Sequence, residues 1–357
     1  EIGVRLVGSE MCIRDRVNTM KKFLSIALAL LMVCVMLPVV ALADEGTTLP
    51  APDANGVITL EKDVTLTSTW KITSDVTIDL NGHKLTINNA TAIYVTGGSF
   101  TVKDSGQNGE MALDGTISLM NTTMRLENGT VSFHQRQTGI SLLNSEFVMT
   151  DGMVYAAVQE SFCFNPGYGG TTTIDISGGT VKSVSTNTAM IGCGSIGSYN
   201  LDISISGNTT VDFANELMNG EGNNKVSFEI TGGTFIGRDH LDDVDPYISE
   251  DGLVVLDDEN IYVGATATSV VSNATSGTFT VVNGTDVNLT VKGGVTVKNG
   301  MTEGTVTVNG KTLEANEGYT APTVIIISGD TTPAVISALI ADEAAIGMVN
   351  SLSLIHI

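Results

Sequence analysis

The chain has 357 residues, 39 of them acidic and 17 basic, and a formal net charge of −22. That field repels phosphate backbones and anionic lipid, and no basic stripe offsets it, which excludes nucleic acid as a partner. With 39 glycines and 5% aromatic residues, the composition fits an extracellular β protein long enough to build one or two cores without a disulfide framework.

Both ends read as foreign DNA. "MCIRDR" (Met11–Arg16) and "LSLIHI" (Leu352–Ile357) back-translate to reverse complements of one short sequence, which resembles the transposase end used in library preparation. Residues 1–16, with 17–19 as flank, and 351–357 are therefore expected to be adapter, with the natural C-terminus beyond Asn350. From Met20 a secretory signal follows. Lys21 and Lys22 form the charged region, Phe23–Val40 the apolar region, and Ala41-Leu42-Ala43 the cleavage site before Asp44. A lipoprotein reading fails because Val33, not a small residue, precedes Cys34; a retained anchor is the alternative to cleavage. Removing residues 20–43 leaves no membrane span in the mature chain. Without Glu1, Glu10 and Asp15, and without Arg5, Arg14, Arg16, Lys21 and Lys22, 36 acids face 12 bases, a net of −24.

Residues 44–56 read as an N-terminal linker, and residues 57–264 as a repeat. Its hexads are "VTGGSF" (Val95–Phe100), "LENGTV" (Leu126–Val131), "MTDGMV" (Met149–Val154), "ISGGTV" (Ile176–Val181) and "ITGGTF" (Ile230–Phe235), with a degenerate "ISGNTT" at Ile205–Thr210. The fourth positions fall at 98, 129, 152, 179, 208 and 233, giving spacings of 31, 23, 27, 29 and 25. Such a period marks stacked units that cannot bury their apolar faces alone. Strict alternation precedes the later hexads, as in "TIDIS", "LDISIS" and "VSFEIT", so each follows a half-buried strand. Ile176 and Val181 lie an odd number of residues apart, so the glycines between them must turn the chain if both are to face inward.

A hairpin and a corner of a parallel β-helix both satisfy that parity. Hairpins should keep alternating after the turn, whereas "TVKSVS" and "TFIGRD" lose the pattern, and irregular spacing suits coils whose corners accept insertions. The reading is an all-β chain: a right-handed, single-stranded parallel β-helix over 57–264. "VTLTSTWKITSDVTIDLNGHKLTI" forms its first coil, with a tight turn at Asn81-Gly82. Gly82, Gly97, Gly98, Gly129, Gly152, Gly178, Gly179, Gly232 and Gly233 are expected at turns. Gly98, Gly179 and Gly233 are expected to hold equivalent corners, and Ile176, Ile205 and Ile230 to form one inward ladder.

"SDVTIDLNGHKLTI" (Ser74–Ile87), "VTGGSFTVKDSGQNGE" (Val95–Glu110) and the later hexads resemble the right-handed β-helix, pectin-lyase-like surface proteins of Gram-positive bacteria. Gly233–Gly264 is similar to the element that commonly closes those helices. The resemblance implies an exported, often wall-attached protein. It specifies architecture well and activity poorly, because the shared residues are turns and strands.

After Gly264, residues 265–322 carry short alternating strands with Asn-Gly turns at Asn283-Gly284 and Asn309-Gly310. These predict a small antiparallel, sandwich-like β domain, with a continued helix as the alternative. Residues 323–350 read as a linker or truncated C-terminal region, with Thr332 capping a helix that has Pro333 in its first turn. Cys163 and Cys193 lack metal-ligand spacing; export permits a disulfide, and two buried thiols are the plainer reading.

Chemistry is hard to find. His83 sits in a turn with no paired acid or serine nearby and reads as a corner residue; His134 follows a strand, where "FHQRQ" with Arg136 offers at best a sugar-facing polar ledge; His240 lies in the closing element. G-x-S-x-G, H-E-x-x-H and P-loop motifs are absent, and "NPGYGGTTT" (Asn165–Thr173) lacks the lysine and helix a phosphate loop needs. Outward Asp79, Asp175, Asp202 and Glu229 would line one face if the coils stack in register. The plain alternative is a solvated strand face. Asp239, Asp242, Asp243 and Asp245 are oxygen ligands of the kind Ca²⁺ takes, but their spacing is not that of the EF-hand loop, and an acidic solvated turn is the plainer reading. No cofactor is required, with Ca²⁺ the one to test. Three functions fit a secreted or cell-wall-associated monomer: binding a glycan or a host or cell-surface partner, cleaving polysaccharide as a lyase or hydrolase, or serving as a structural stalk.

Overall fold

The computed structural model describes residues 48–323, apart from 136–137, 168–169, 194–199 and 220–224. The expected adapter, signal peptide and capped C-terminal helix lie outside the described residues. Alternating apolar residues and corner glycines wind the chain into a parallel β-helix with three strands per coil. Eight strands, from Val57–Thr59 to Lys225–Ile230, stack as the first sheet. The second sheet begins at Val64–Leu66 and leaves the solenoid at Gly232–Ile236; the third runs from Trp70–Ile72 to Met218–Asn219. Every pairing between solenoid coils is parallel, as expected for coils and not for hairpins.

Register makes the coil length visible. Val57, Thr77, Thr101, Arg125, Val148, Asp175, Ser204 and Glu229 occupy one column, so successive coils take 20, 24, 24, 23, 27, 29 and 25 residues. The last four values repeat the hexad spacings. One residue further along, Ile58, Ile78, Val102, Leu126, Met149, Ile176, Ile205 and Ile230 form a continuous inward ladder, all buried. The expected isoleucine ladder is its last three rungs. Burying this apolar column is what holds the coils together, since a single coil has nothing to cover its inner face.

One expectation fails. Gly179 and Gly233 stand where the chain passes from the first sheet to the second, but Gly98 precedes Ser99–Lys103, a strand of the first sheet reached from the third. Gly98 therefore holds a different corner, which is why the first hexad spacing, 31, matches no coil. Two corners use the same local solution, a positive φ between two inward residues, so sequence similarity alone merges them. The degenerate copy also carries one extra residue: Thr210, not Thr209, pairs with Thr180. Buried Thr209 fills the added space and donates its hydroxyl to the Ser206 carbonyl at 2.7 Å.

The closing element covers the far end of the core. Short helical turns over Arg238–Tyr247 bury Val244, stack Tyr247 on Phe228 at 4.2 Å, and set the His240 ring against Phe213 at 4.3 Å. The second sheet then reverses: Gly232–Ile236 pairs antiparallel with Asn260–Val263, which pairs antiparallel with Val254–Leu256. Beyond the helix Gly264–Asn273, a second core lies between the end of this long sheet and a three-stranded sheet of Val287–Leu289, Val306–Val308 and Lys311–Leu313. This is the expected sandwich-like region, and two of its pairings run parallel: Gly277–Asn283 with Val295–Asn299, and Val287–Leu289 with Val306–Val308. Asn309-Gly310 makes the expected two-residue hairpin, whereas Asn283-Gly284 hands the chain from one sheet to the other. Among the described residues, no helix is long and apolar enough to cross a membrane.

Candidate functional site

The outer face of the first sheet carries the densest array of small polar side chains. One outward column reads Ser99, Thr123, Glu146, Thr173, Asp202, Ser227, and the next reads Thr77, Thr101, Arg125, Val148, Asp175, Ser204, Glu229. At the corner entering this sheet from the third, an open groove of about 330 Å³ is lined by Asn121, Thr123, Asn144, Glu146, Thr171 and Thr173. Asn121 and Asn144 make its stacked amide wall. Both adopt a positive φ, +52° and +49°, which asparagine tolerates better than most residues. Asn144 donates to the Asn121 side-chain oxygen at 2.9 Å and accepts from the Thr171 backbone N–H at 3.0 Å. Behind them, buried Thr122, Ser145 and Thr172 give their hydroxyls to backbone carbonyls and hold the corner shut.

The four outward acids share the outer face of the first sheet but stand in three columns. Asp175 and Glu229 share a column through Ser204, whose hydroxyl donates to Asp175 at 2.6 Å. Asp202 stands in the neighbouring column, next to Thr173 of the groove. Asp79 occupies a third column beside Lys103 and is only 5% exposed. Its carboxylate clamps the next corner, accepting the N–H groups of Asn81 at 3.1 Å and Ser105 at 2.9 Å, with the Lys103 ammonium at 3.5 Å. Asp79 is a fastening of the fold and not a ligand contact.

Burial alone would raise the Asp79 pKa, but the donors from Ser105 and Asn81 and the Lys103 charge outweigh it and hold it below 3.8. A carboxylate depressed in the folded state contributes stability above its unfolded pKa and loses it as pH falls through the folded value. Asp79→Ala should therefore cost about 1–3 kcal/mol at neutral pH. The deficit relative to the parent should shrink below pH 3.8, as read from urea midpoints across an acid series.

Acids and bases mix on the outer face of the second sheet instead. Lys84 Nζ lies 2.9 Å from Glu110 Oε2, and the Ser132 hydroxyl lies 2.6 Å from Glu110 Oε1 and 2.8 Å from His134 Nε2. The Ser132 hydroxyl and Lys84 outweigh burial and hold the Glu110 pKa below its usual value, so the carboxylate is an acceptor only and Ser132 donates its single proton there. His134 Nε2 must then donate to Ser132. Ser132 is 1% exposed, which shuts it off from a substrate as a nucleophile. Higher on the same face, Lys182 Nζ pairs with Asp212 at 2.6 Å. Apart from Ser132–His134, these contacts join residues more than 20 apart in sequence and were invisible there.

The four acids of the closing element are not gathered. Asp243 pairs with His240 at 3.0 Å, and among the described residues no group of three or more His, Cys, Asp or Glu side chains is placed to hold a metal ion. His83 lies 3.6 Å from Asp63 at a corner. Cys163 and Cys193 are buried thiols and not a disulfide; burial in the apolar core pushes the Cys163 pKa up to about 12, well away from reactivity. Trp70 packs at nearly a right angle against Phe100, with the ring centroids 5.5 Å apart.

No protein-family model, no curated protein and no solved structure matches the chain. The parallel β-helix itself is what the chain's register, ladders and cap establish.

Proposed function

We propose that this is an exported, surface-associated β-helix protein, of the pectin-lyase-like kind its motifs resemble, that binds glycan through the outer face of its first sheet and does not cleave it. The observation carrying this reading is the run of hydroxyl, amide and carboxylate groups repeated coil after coil on that face and concentrated in the corner groove. Repetition matters because no single position offers a flat aromatic platform, so each contact is weak and affinity comes from several together. Per site, a dissociation constant on the order of 1 mM is expected.

Expression from Met20 in a secreting host should deliver a protein beginning at Asp44 to the medium. That protein should be retarded in affinity gels by soluble polysaccharide without generating new reducing ends or unsaturated products, with or without Ca²⁺. Cleavage products would overturn the non-catalytic reading in favour of a lyase or hydrolase. The mixed cluster of Lys84, Glu110 and His134 favours that second reading, and product formation abolished by Glu110→Gln would locate it there. A chain retained in the membrane counts against export, and the absence of any binding leaves the structural stalk.

A further inference from the structure

We infer that the groove at the third-to-first corner takes an interior stretch of a linear, uncharged polysaccharide lying along the solenoid axis. This rests on the glycan-binding reading above and adds the ligand's charge, its direction and the residues that select it. Direction follows from register. Thr123, Glu146 and Thr173 stand directly above one another in three successive coils, as do Asn121 and Asn144 in two, at about 4.8 Å per coil. A row of like groups at that pitch meets a ligand that also repeats along the axis. The groove is open, so an internal segment can enter sideways without a chain end.

Charge follows from which groups remain uncommitted. Glu146 accepts the Thr123 hydroxyl on Oε2 at 3.0 Å, and its other oxygen is left for a ligand. The only basic side chain in the two outward columns beside the groove is Arg125, a diagonal neighbour in the adjoining coil, and among the described residues no Lys, Arg or His forms an ion pair with Glu146. Asp202 extends the same column one coil beyond Thr173. An anionic sugar would be brought against an unpaired, half-buried carboxylate, whereas sugar hydroxyls donate to it. On the opposite wall the Asn144 amide is committed within the ladder, while the Asn121 NH₂ donates to no protein acceptor among the described residues. A carboxylate acceptor, an amide donor and the hydroxyls of Thr171 and Thr173 together match the alternating donor and acceptor character of a hydroxyl-rich chain. Met120 and Leu143, the outward residues leading into Asn121 and Asn144, provide a half-buried apolar strip for ring C–H groups.

The test is native affinity electrophoresis of the secreted protein in gels containing mixed-linkage β-glucan, glucomannan or polygalacturonate. Retardation is expected in the two neutral polymers and not in polygalacturonate. Glu146→Gln should weaken it about tenfold and Asn121→Ala several-fold, while Glu303→Gln, at an exposed position beyond the solenoid, should leave it unchanged. Thr173→Val serves as a second groove variant should Asn121→Ala disturb its corner, with thermal midpoints confirming that each variant is folded. Equal retardation by polygalacturonate, or full competition by monomeric glucose, overturns the inference. If the groove variants bind like the parent while Asp175→Asn or Glu229→Gln weakens binding, the face still binds glycan and the groove assignment falls. If no polymer is bound, both readings fall.

Discussion

Replacing Ile205 by Asp is expected to abolish the cooperative thermal transition of the β-helix or lower its stability by about 4 kcal/mol or more. Ile205 is fully buried and sits between Ile176 and Ile230 in the inward ladder, with apolar rungs on both sides. A carboxylate there loses its water and gains no cation. Folded proteins hold only about 5–15 kcal/mol in reserve, so a single rung can decide the outcome. The damage should also be directional: coils contact only their neighbours, so a failed coil near the closing element uncouples that cap from the coils before it. Two comparisons isolate the charge. Ile205→Val removes one methylene and should cost about 1 kcal/mol. Ile205→Asp, but not Ile205→Asn, should recover part of its deficit relative to the parent as pH falls. A buried, unpaired aspartate has a raised folded-state pKa, so stability is lost as pH rises from the unfolded value through the folded one. A parent-like midpoint for Ile205→Asp would place Ile205 outside the core.

The inward ladder was legible because its signal is local and repeated: each rung sits in an alternating run and each run ends in glycine. The hexads from Leu126 onward therefore report the coil length directly, 23, 27, 29 and 25 residues. The third sheet was not legible. Its strands shrink to two residues at Ile191–Gly192 and Met218–Asn219, and the corner after them carries the glycine hexad only once, at Gly97-Gly98, so one full side of every coil lacks a repeated glycine signal and Gly98 is mistaken for the other corner. The groove stayed hidden for a related reason. Its residues are ordinary threonines and asparagines contributed one or two per coil, and nothing local distinguishes them from solvated strand positions. One signal existed, an apolar–Asn–hydroxyl step that recurs after 23 residues as Met120-Asn121-Thr122 and Leu143-Asn144-Ser145. Asparagine is weaker punctuation than the paired glycines of the hexads, so the step stands out less from its surroundings. The outward acids do share the outer face of the first sheet, but in three columns, since a row on the surface depends on inter-coil register that one strand cannot reveal.

The glycine corners supply the second large effect. Gly179→Ala is expected to cost about 3 kcal/mol or more, whereas Gly310→Ala should cost only about 1–2 kcal/mol. Both residues have a positive φ near +80°, at +79° and +83°, so the backbone strain added by a methyl group is the same. Their surroundings differ. A Cβ at Gly310 meets nothing within 4 Å, because that glycine turns an exposed hairpin. A Cβ at Gly179 would stand 2.5 Å from the Gly152 carbonyl oxygen and 2.6 Å from the Met149 methyl. That carbonyl accepts the Thr180 N–H at 2.8 Å, so the methyl pushes against the very bond that joins the two coils. The same arrangement recurs one coil earlier, where Met153 donates to the Gly129 carbonyl at 2.8 Å and a Cβ on Gly152 would approach that oxygen to 2.5 Å. A stacked corner cannot relax by moving outward without lengthening its hydrogen bonds to the coils on either side. Urea midpoints of the two single variants test this with strain held constant, and identical losses would mean that the corners do not stack in contact.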